Sequence, residues 1–220
     1  MTSPGPGRSP AERLILAGVG IVLAVVVLLG VRSLQRTSGP SFSQAGGSAL
    51  QLLDPVPPFS LTGASGQAVT LGSLQGRIWI ADFIFTRCTG VCPLLSGRML
   101  ALQKALRGRD EVRLVSFSVD PDYDTPEVLG TYARDHGADG SRWIFLTGHR
   151  DELHALIGKG FHLAVAKAPE GAAPPGELIT HSDRLVLVDR GGRIRGYYHG
   201  SEEETVKRLL EGVDLLSREP

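Results

Sequence analysis

Cys88 and Cys92 are the only cysteines of the chain, and they stand four residues apart in the run Phe85-Thr86-Arg87-Cys88-Thr89-Gly90-Val91-Cys92-Pro93. The run lies where an apolar stretch of strand length gives way to a helical pattern. With Cys92 opening the helix and Cys88 in the loop before it, one helical turn separates the two, and both sulfurs can point at one spot. Such a pair is suited either to sharing a metal ion or to closing into a disulfide. A helix N-terminus carries partial positive charge that favours thiolate over thiol, and thiolate is both the nucleophile and the soft-metal ligand. The plainer reading is a pair of unrelated core cysteines, since unbridged Cys is commonly buried. The closeness of the only two cysteines in a long chain argues against it.

The elements around the pair follow from periodicity. Ile78-Trp79-Ile80-Ala81-Asp82-Phe83-Ile84-Phe85 is mostly apolar and of strand length, as expected for a strand covered on both faces. After Cys92, Leu95, Met99, Leu102 and Leu106 recur on one helical face, and the pattern runs out at Gly108. A strand from Val112 to Asp120 follows. The next helix is opened by Asp124-Thr125-Pro126-Glu127, in which Asp124 and Glu127 have capping-box spacing and Pro126 suits the first turn. A right-handed crossover makes the strands ending at Phe85 and Asp120 parallel, which brings Asp120 to the sheet edge that carries the cysteines.

Farther on, the pattern predicts a strand from Trp143 to Leu146, a short helix from Glu152 to Ile157, and a hairpin of Arg184–Asp189 with Arg193–Tyr198. A last helix is expected from Ser201, with Glu204 completing a capping box and Val206, Leu209, Leu210, Val213 and Leu216 on one face. The Pro-, Ala- and Gly-rich stretch between Lys167 and Gly176 reads as a flexible loop beside His181.

The chain has 220 residues, 42% hydrophobic and 21% charged, enough to bury a normal core without disulfide staples. Lys plus Arg and Asp plus Glu number 23 each, so electrostatics gives no case for a nucleic-acid partner. From Leu14 to Val31 the chain carries no charge, and at helical rise this run spans roughly 27 Å, close to a bilayer core. It reads as a transmembrane helix. A cleaved signal peptide is the rival, but the run exceeds a typical h-region and no clear Ala-x-Ala site follows it. Arg8 and Arg13 before it are matched by Arg32 and Arg36 after it, so charge does not set its orientation. The expected organisation is a tail over 1–13, the anchor over 14–31, a Gly-, Ser-, Gln- and Pro-rich tether over 32–56, and an α/β domain over 57–220.

The domain resembles a known family. Pro57-Pro58-Phe59-Ser60-Leu61, Gly66-Gln67-Ala68-Val69-Thr70-Leu71 and Leu74-Gln75-Gly76-Arg77 are similar to the entry of thioredoxin-like redoxins. Three further segments narrow the resemblance to the Sco/SenC family, membrane-anchored copper proteins that serve cytochrome c oxidase assembly. They are the cysteine run, Ser118-Val119-Asp120-Pro121-Asp122-Tyr123-Asp124-Thr125-Pro126-Glu127, and Thr180-His181-Ser182. The likeness covers residues 55–215, and its motifs are specific in combination. The family usually has Pro-Asp after the first cysteine, where this chain has Thr89-Gly90, a departure that bears on loop stiffness and redox potential while leaving both cysteines in place.

The resemblance implies a thioredoxin-like α/β fold and copper ligands at Cys88, Cys92 and His181. Coordination chemistry agrees: two thiolates suit Cu(I), and an imidazole as third ligand lets the site hold Cu(II). Zinc would normally want a fourth protein ligand, which no sequence signal supplies clearly. The implied role is delivery of copper, received from a donor protein, to the binuclear copper centre of the copper-accepting subunit of cytochrome c oxidase. The alternative is a thiol-disulfide oxidoreductase acting on the cysteines of that same centre, with Cys88 and Cys92 as its redox-active pair. A redox or copper sensor is a third reading. His181 favours copper over pure reduction, because a reductase has no need of an imidazole beside its cysteines. The resemblance also implies a domain on the non-cytoplasmic side, and the N-terminal segment is unlike a transit peptide, which favours a bacterial inner membrane with a periplasmic domain.

Asp120 has two readings, a second-shell group or partner contact at the copper site and a residue that ends its strand and caps the turn at Pro121. Asp82 is expected to be a solvated or hydrogen-bonded carboxylate. Arg87 is placed either to lower a thiol pKa or to face a partner. His136, His149, His154, His162 and His199 have no second ligand at metal spacing and read as structural or exposed.

Overall fold

The computed structural model describes residues 50–167 and 179–219, except for the side chains of 165–167 and 179–181. Its first elements are β1 (Ser60–Gly63), β2 (Ala68–Thr70), α1 (Leu71–Leu74), β3 (Ile78–Ile84), α2 (Cys92–Ala105), β4 (Val112–Ser118) and α3 (Pro126–Asp135). They are followed by β5 (Trp143–Thr147) and α4 (Arg150–Ala155), which continues into a π-helical turn at Leu156–Gly160. The chain then forms β6 (Val165–Lys167), β7 (Ile179–His181), β8 (Arg184–Val188), β9 (Ile194–His199) and α5 (Thr205–Arg218). The expected anchor over 14–31, the tether up to residue 49 and most of the loop after Lys167 lie outside the described residues. Among the described residues, no helix is long and apolar enough to cross a membrane.

The α/β class expected from the sequence is the class observed. Seven strands form one sheet in the order β2-β1-β5-β4-β3-β8-β9, and β6 pairs with β7 in a separate ladder. Every residue of β3 is buried. It runs parallel to β4 on one side and antiparallel to β8 on the other. A strand enclosed in this way has no solvent face to mark with polar residues, hence its nearly unbroken apolar run. Ile84 pairs with Ser118 at the end of the parallel ladder, so the cysteine loop and the turn at Asp120 leave the sheet at one edge.

Successive side chains of β3 alternate between two faces. On one face Phe83 stacks on Phe117 with centroids 5.7 Å apart, and Phe161 meets Phe83 nearly edge-on at 5.0 Å. The other face carries Ile80, Asp82 and Ile84. Helix α2 buries the expected stripe of Leu95, Met99 and Leu102, with Leu106 just beyond its end, and packs against β3 and α5. Burial of each such side chain contributes about 1.5–3 kcal/mol, which fixes the helix that starts at Cys92.

Several boundaries differ from the sequence-based expectation. The short helix expected from Glu152 to Ile157 starts at Arg150 and passes into the π-helical turn at Leu156. Four other differences each have a local reason. Strand β4 ends at Ser118 rather than Asp120, because the Ser118 hydroxyl turns to accept from the Asp120 N–H and to donate to Asp124. Helix α3 is capped by Thr125, whose hydroxyl accepts from the Val128 N–H, since the Asp124 carboxylate is already engaged elsewhere. Helix α5 begins at Thr205 without a side-chain cap, and Ser201 donates instead to Asp183. Residues 51–56, assigned to the tether, run beside β9: the Leu53 N–H donates to Ile194, the Ile194 N–H to Asp54 and the Val56 N–H to Gly192, all at 2.9–3.1 Å. That pairing is made by backbone groups, which leave no apolar period to read.

Candidate metal centre

Strand β3 delivers the chain to the sheet edge, where Cys88 closes a turn by donating its backbone N–H to the Phe85 carbonyl over 3.1 Å. Cys92 is the first residue of α2, with Pro93 in the first turn, where a missing N–H costs nothing. The structure brings the two cysteines together: their thiols share a hydrogen bond and are not joined in a disulfide. Cys92 is fully buried, whereas Cys88 is half-buried. Of the two sulfurs, Cys88 is thus the one that a metal ion or a partner's disulfide can reach first.

Burial pushes the Cys92 thiol well above its ordinary range, and the hydrogen bond with Cys88 and the Asp82 carboxylate act in the same direction. The expected tilt toward thiolate from the helix N-terminus is overturned at Cys92, because loss of hydration outweighs the partial charge of a helix end. Asp82 is buried rather than solvated. Its carboxyl is pushed up to about 7 by burial, and its Oδ1 accepts from the Ser116 hydroxyl over 2.5 Å. Ser116 in turn accepts from the Trp143 indole N–H at 2.8 Å. Asp82 Oδ2 has no hydrogen-bond partner among the described residues.

The loop before Cys88 is held from the β4–α3 connection. The Thr86 N–H lies 3.3 Å from each Asp124 carboxylate oxygen, its hydroxyl donates to Oδ1, and the Ser118 hydroxyl donates to Oδ2 at 2.6 Å. Asp120 and Arg87 form an ion pair, and the Arg87 guanidinium lies 4.1 Å from the centroid of the Tyr123 ring. Asp120 also closes its turn, its carbonyl accepting from the N–H groups of Tyr123 and Asp124. The turn-closing reading of Asp120 is the one observed; its carboxylate pairs with Arg87, the residue beside Cys88. Arg87 spends its charge on Asp120.

His181 ends β7, whose backbone pairs with β6 so that His181 faces Val165. Its side chain lies outside the described residues. Among the described residues, no three His, Cys, Asp or Glu side chains gather as a metal site. Of the other histidines, a ring nitrogen of His136 meets the Tyr132 carbonyl, His154 meets the Val119 carbonyl, His162 meets Asp54 and His199 meets Asp183, all at 2.9–3.1 Å. His149 stands at the N-cap of α4.

The family model described as SCO1/SenC matches residues 49–214. The chain belongs to the SCO1/SenC family. The SCO1 protein homolog of Bacillus subtilis is 36% identical over 173 residues, which span 76% of this chain and 87% of that one. A structure of BsSco, described as a member of the Sco family of cytochrome c oxidase assembly proteins and as carrying a disulfide switch, is 35% identical with a TM-score of 0.66. It is matched over 77% of this chain and 99% of its own. ScoI of Bradyrhizobium japonicum, solved with copper bound, is 28% identical with a TM-score of 0.60, over 72% of this chain and 99% of that one.

Within this SCO1/SenC domain, reading the sequence left the anchoring role of Asp124 undetected, because its spacing to Glu127 imitates a capping box. The stack of Arg87 on Tyr123 leaves no one-dimensional signal at all. Their separation along the chain hides it.

Proposed function

We propose that this SCO1/SenC chain binds copper through Cys88, Cys92 and His181 and delivers it to the binuclear copper centre of cytochrome c oxidase during assembly. In this reading residues 14–31 anchor the chain in a bacterial inner membrane, the stretch from 32 to about 50 is the tether, and the domain, which residues 51–56 join by pairing along β9, works in the periplasm. The observation that carries the proposal is the pair of hydrogen-bonded thiols at the entry of α2 in a chain of this family. Two thiol sulfurs form a soft donor set that suits Cu(I), and the relative from Bradyrhizobium holds copper. Copper supplies the cargo and a one-electron couple. The chain's own residues hold and orient it: Cys92 from a buried position, Cys88 from the more accessible one, and Asp124 and Asp120 by fixing Thr86 and Arg87 in the loop just before Cys88. Binding requires each thiol to release a proton, which for Cys92 leaves from a buried site.

The test is copper stoichiometry on the purified, reduced chain. One copper per chain is expected, with loss in Cys88→Ser and in Cys92→Ser. Full-affinity copper in either variant would sink the proposed ligand set.

The same pair of neighbouring thiols supports a second reading, a thiol-disulfide exchange on the oxidase cysteines. There the Cys88 and Cys92 dithiol loses two electrons and two protons and becomes a disulfide, while a disulfide of the partner gains them.

A further inference from the structure

The three proposed ligands come from two parts of the fold, the cysteines from the entry of α2 and His181 from the end of β7, and one turn is fastened to both parts. The turn is residues 199–202, at the end of β9. From the cysteine side, Arg98 of α2 donates Nε to the Gly200 carbonyl and Nη2 to the Glu202 carbonyl, each at 3.2 Å. From the His181 side, Asp183, two residues after His181, accepts from His199 Nδ1 at 3.0 Å and from the Ser201 hydroxyl at 2.6 Å. Its carbonyl also accepts from the Gly200 N–H at 2.8 Å.

Gly200 is where the two sides close on each other. A Cβ there would overlap the Leu95 side chain, one helical turn after Cys92, and would lie 3.0 Å from the Asp183 carbonyl oxygen. Helix α5 holds the turn from a third direction, with the Thr205 hydroxyl donating to the His199 carbonyl and Arg208 paired to Glu202 at 2.7 Å. Among the described residues β7 pairs with β6 and with no strand of the main sheet. Asp183, two residues past the end of β7, is thus one point at which that end is held against the turn.

We propose that turn 199–202 is a bracket that sets the position of His181 relative to the cysteine helix, with Arg98, Asp183 and Gly200 as positioning residues for the Cu(II) state of the site. This rests on the copper-binding reading above. Cu(I) is satisfied by two thiolates from one loop and helix start, so it is indifferent to the bracket. Cu(II) needs the imidazole and so depends on where β7 ends. Groups that orient ligands from behind alter metal affinity by about 10- to 100-fold.

The experiment compares the purified full chain with Asp183→Ala, Arg98→Met and His181→Ala, using Cu(I) and Cu(II) salts as probes in chelator competition. The Cu(II) complex is also followed by its thiolate-to-metal charge-transfer band. Asp183→Ala and Arg98→Met are expected to weaken Cu(II) by about 10- to 100-fold and to shift the band, with Cu(I) affinity unchanged. In the His181→Ala background, Asp183→Ala should weaken Cu(II) no further, because its effect acts through the missing imidazole. Should Asp183→Ala fail to fold, Asp183→Asn, which keeps one acceptor oxygen, and Arg98→Met carry the comparison. Wild-type Cu(II) affinity and band in the bracket variants, or a full additive loss in the double variant, overturn the bracket alone. A wild-type chain that binds no copper overturns the functional reading and the bracket with it.

Discussion

Thr86 gives both its backbone N–H and its hydroxyl to Asp124, so the loop that carries Cys88 is fastened to the connection leaving β4. The carboxylate is fully buried and also receives the Ser118 hydroxyl. Asp124→Ala would leave these donors without their acceptor in a dry site. The expected loss is about 2–4 kcal/mol of unfolding free energy, read by denaturant titration, with a smaller loss for Asp124→Asn. An Asp124→Ala chain as stable as the wild type would mean that water replaces the carboxylate and that the fastening is weak.

Asp82 makes stability depend on pH. Its folded-state value of about 7 stands above the ordinary 3.8. The folded chain thus keeps a proton that the unfolded chain releases, so stability is highest below about pH 4 for this group. It falls as pH rises toward 7, by up to about 1.4 kcal/mol per pH unit. Asp82→Asn abolishes this titration. The variant should therefore gain on the wild type between pH 4 and pH 8, measured as the difference in melting temperature at the two values. Any packing cost of the amide is the same at both and cancels. An equal offset at the two pH values would show that the carboxyl does not titrate in this range.

Much of the site was legible because it rests on short-range chemistry. Cys88 and Cys92 stand at a strand-to-helix junction that the apolar run of β3 and the stripe from Leu95 to Leu106 announce. The parallel pairing of β3 with β4, and hence the common edge for Cys88 and Asp120, follows from handedness. What escaped depends on which of several donors a side chain chooses. Asp124 and Ser201 both sit at capping positions, yet Asp124 turns to Thr86 and Ser118, and Ser201 turns to Asp183. Burial depth escaped too. The charge state of Cys92 is decided by its loss of hydration, which neighbours distant in sequence create.

Because the Cys92 thiol lies well above its ordinary range, it is protonated at neutral pH, and a bound metal must displace that proton. Apparent Cu(I) affinity should then rise with pH, by about tenfold per unit for each proton released, over pH 6 to 8. Competition against a chromophoric Cu(I) chelator at several pH values measures it. A flat profile would mean that both sulfurs are already thiolates before copper arrives.

His181 separates delivery of copper from reduction of thiols. His181→Ala leaves the two sulfurs of Cys88 and Cys92, which can still hold Cu(I) between them and can still close into a disulfide. Cu(II) loses its imidazole and should bind far more weakly. The midpoint potential of the Cys88–Cys92 couple should stay near the wild-type value, so the variant keeps its exchange chemistry while metal handling fails. Cells that depend on the variant should lose cytochrome c oxidase activity and regain part of it when copper is added to the medium. Wild-type oxidase activity in such cells, with the Cu(II) affinity of the purified variant confirmed as weakened, would falsify delivery and leave thiol exchange as the function of the pair.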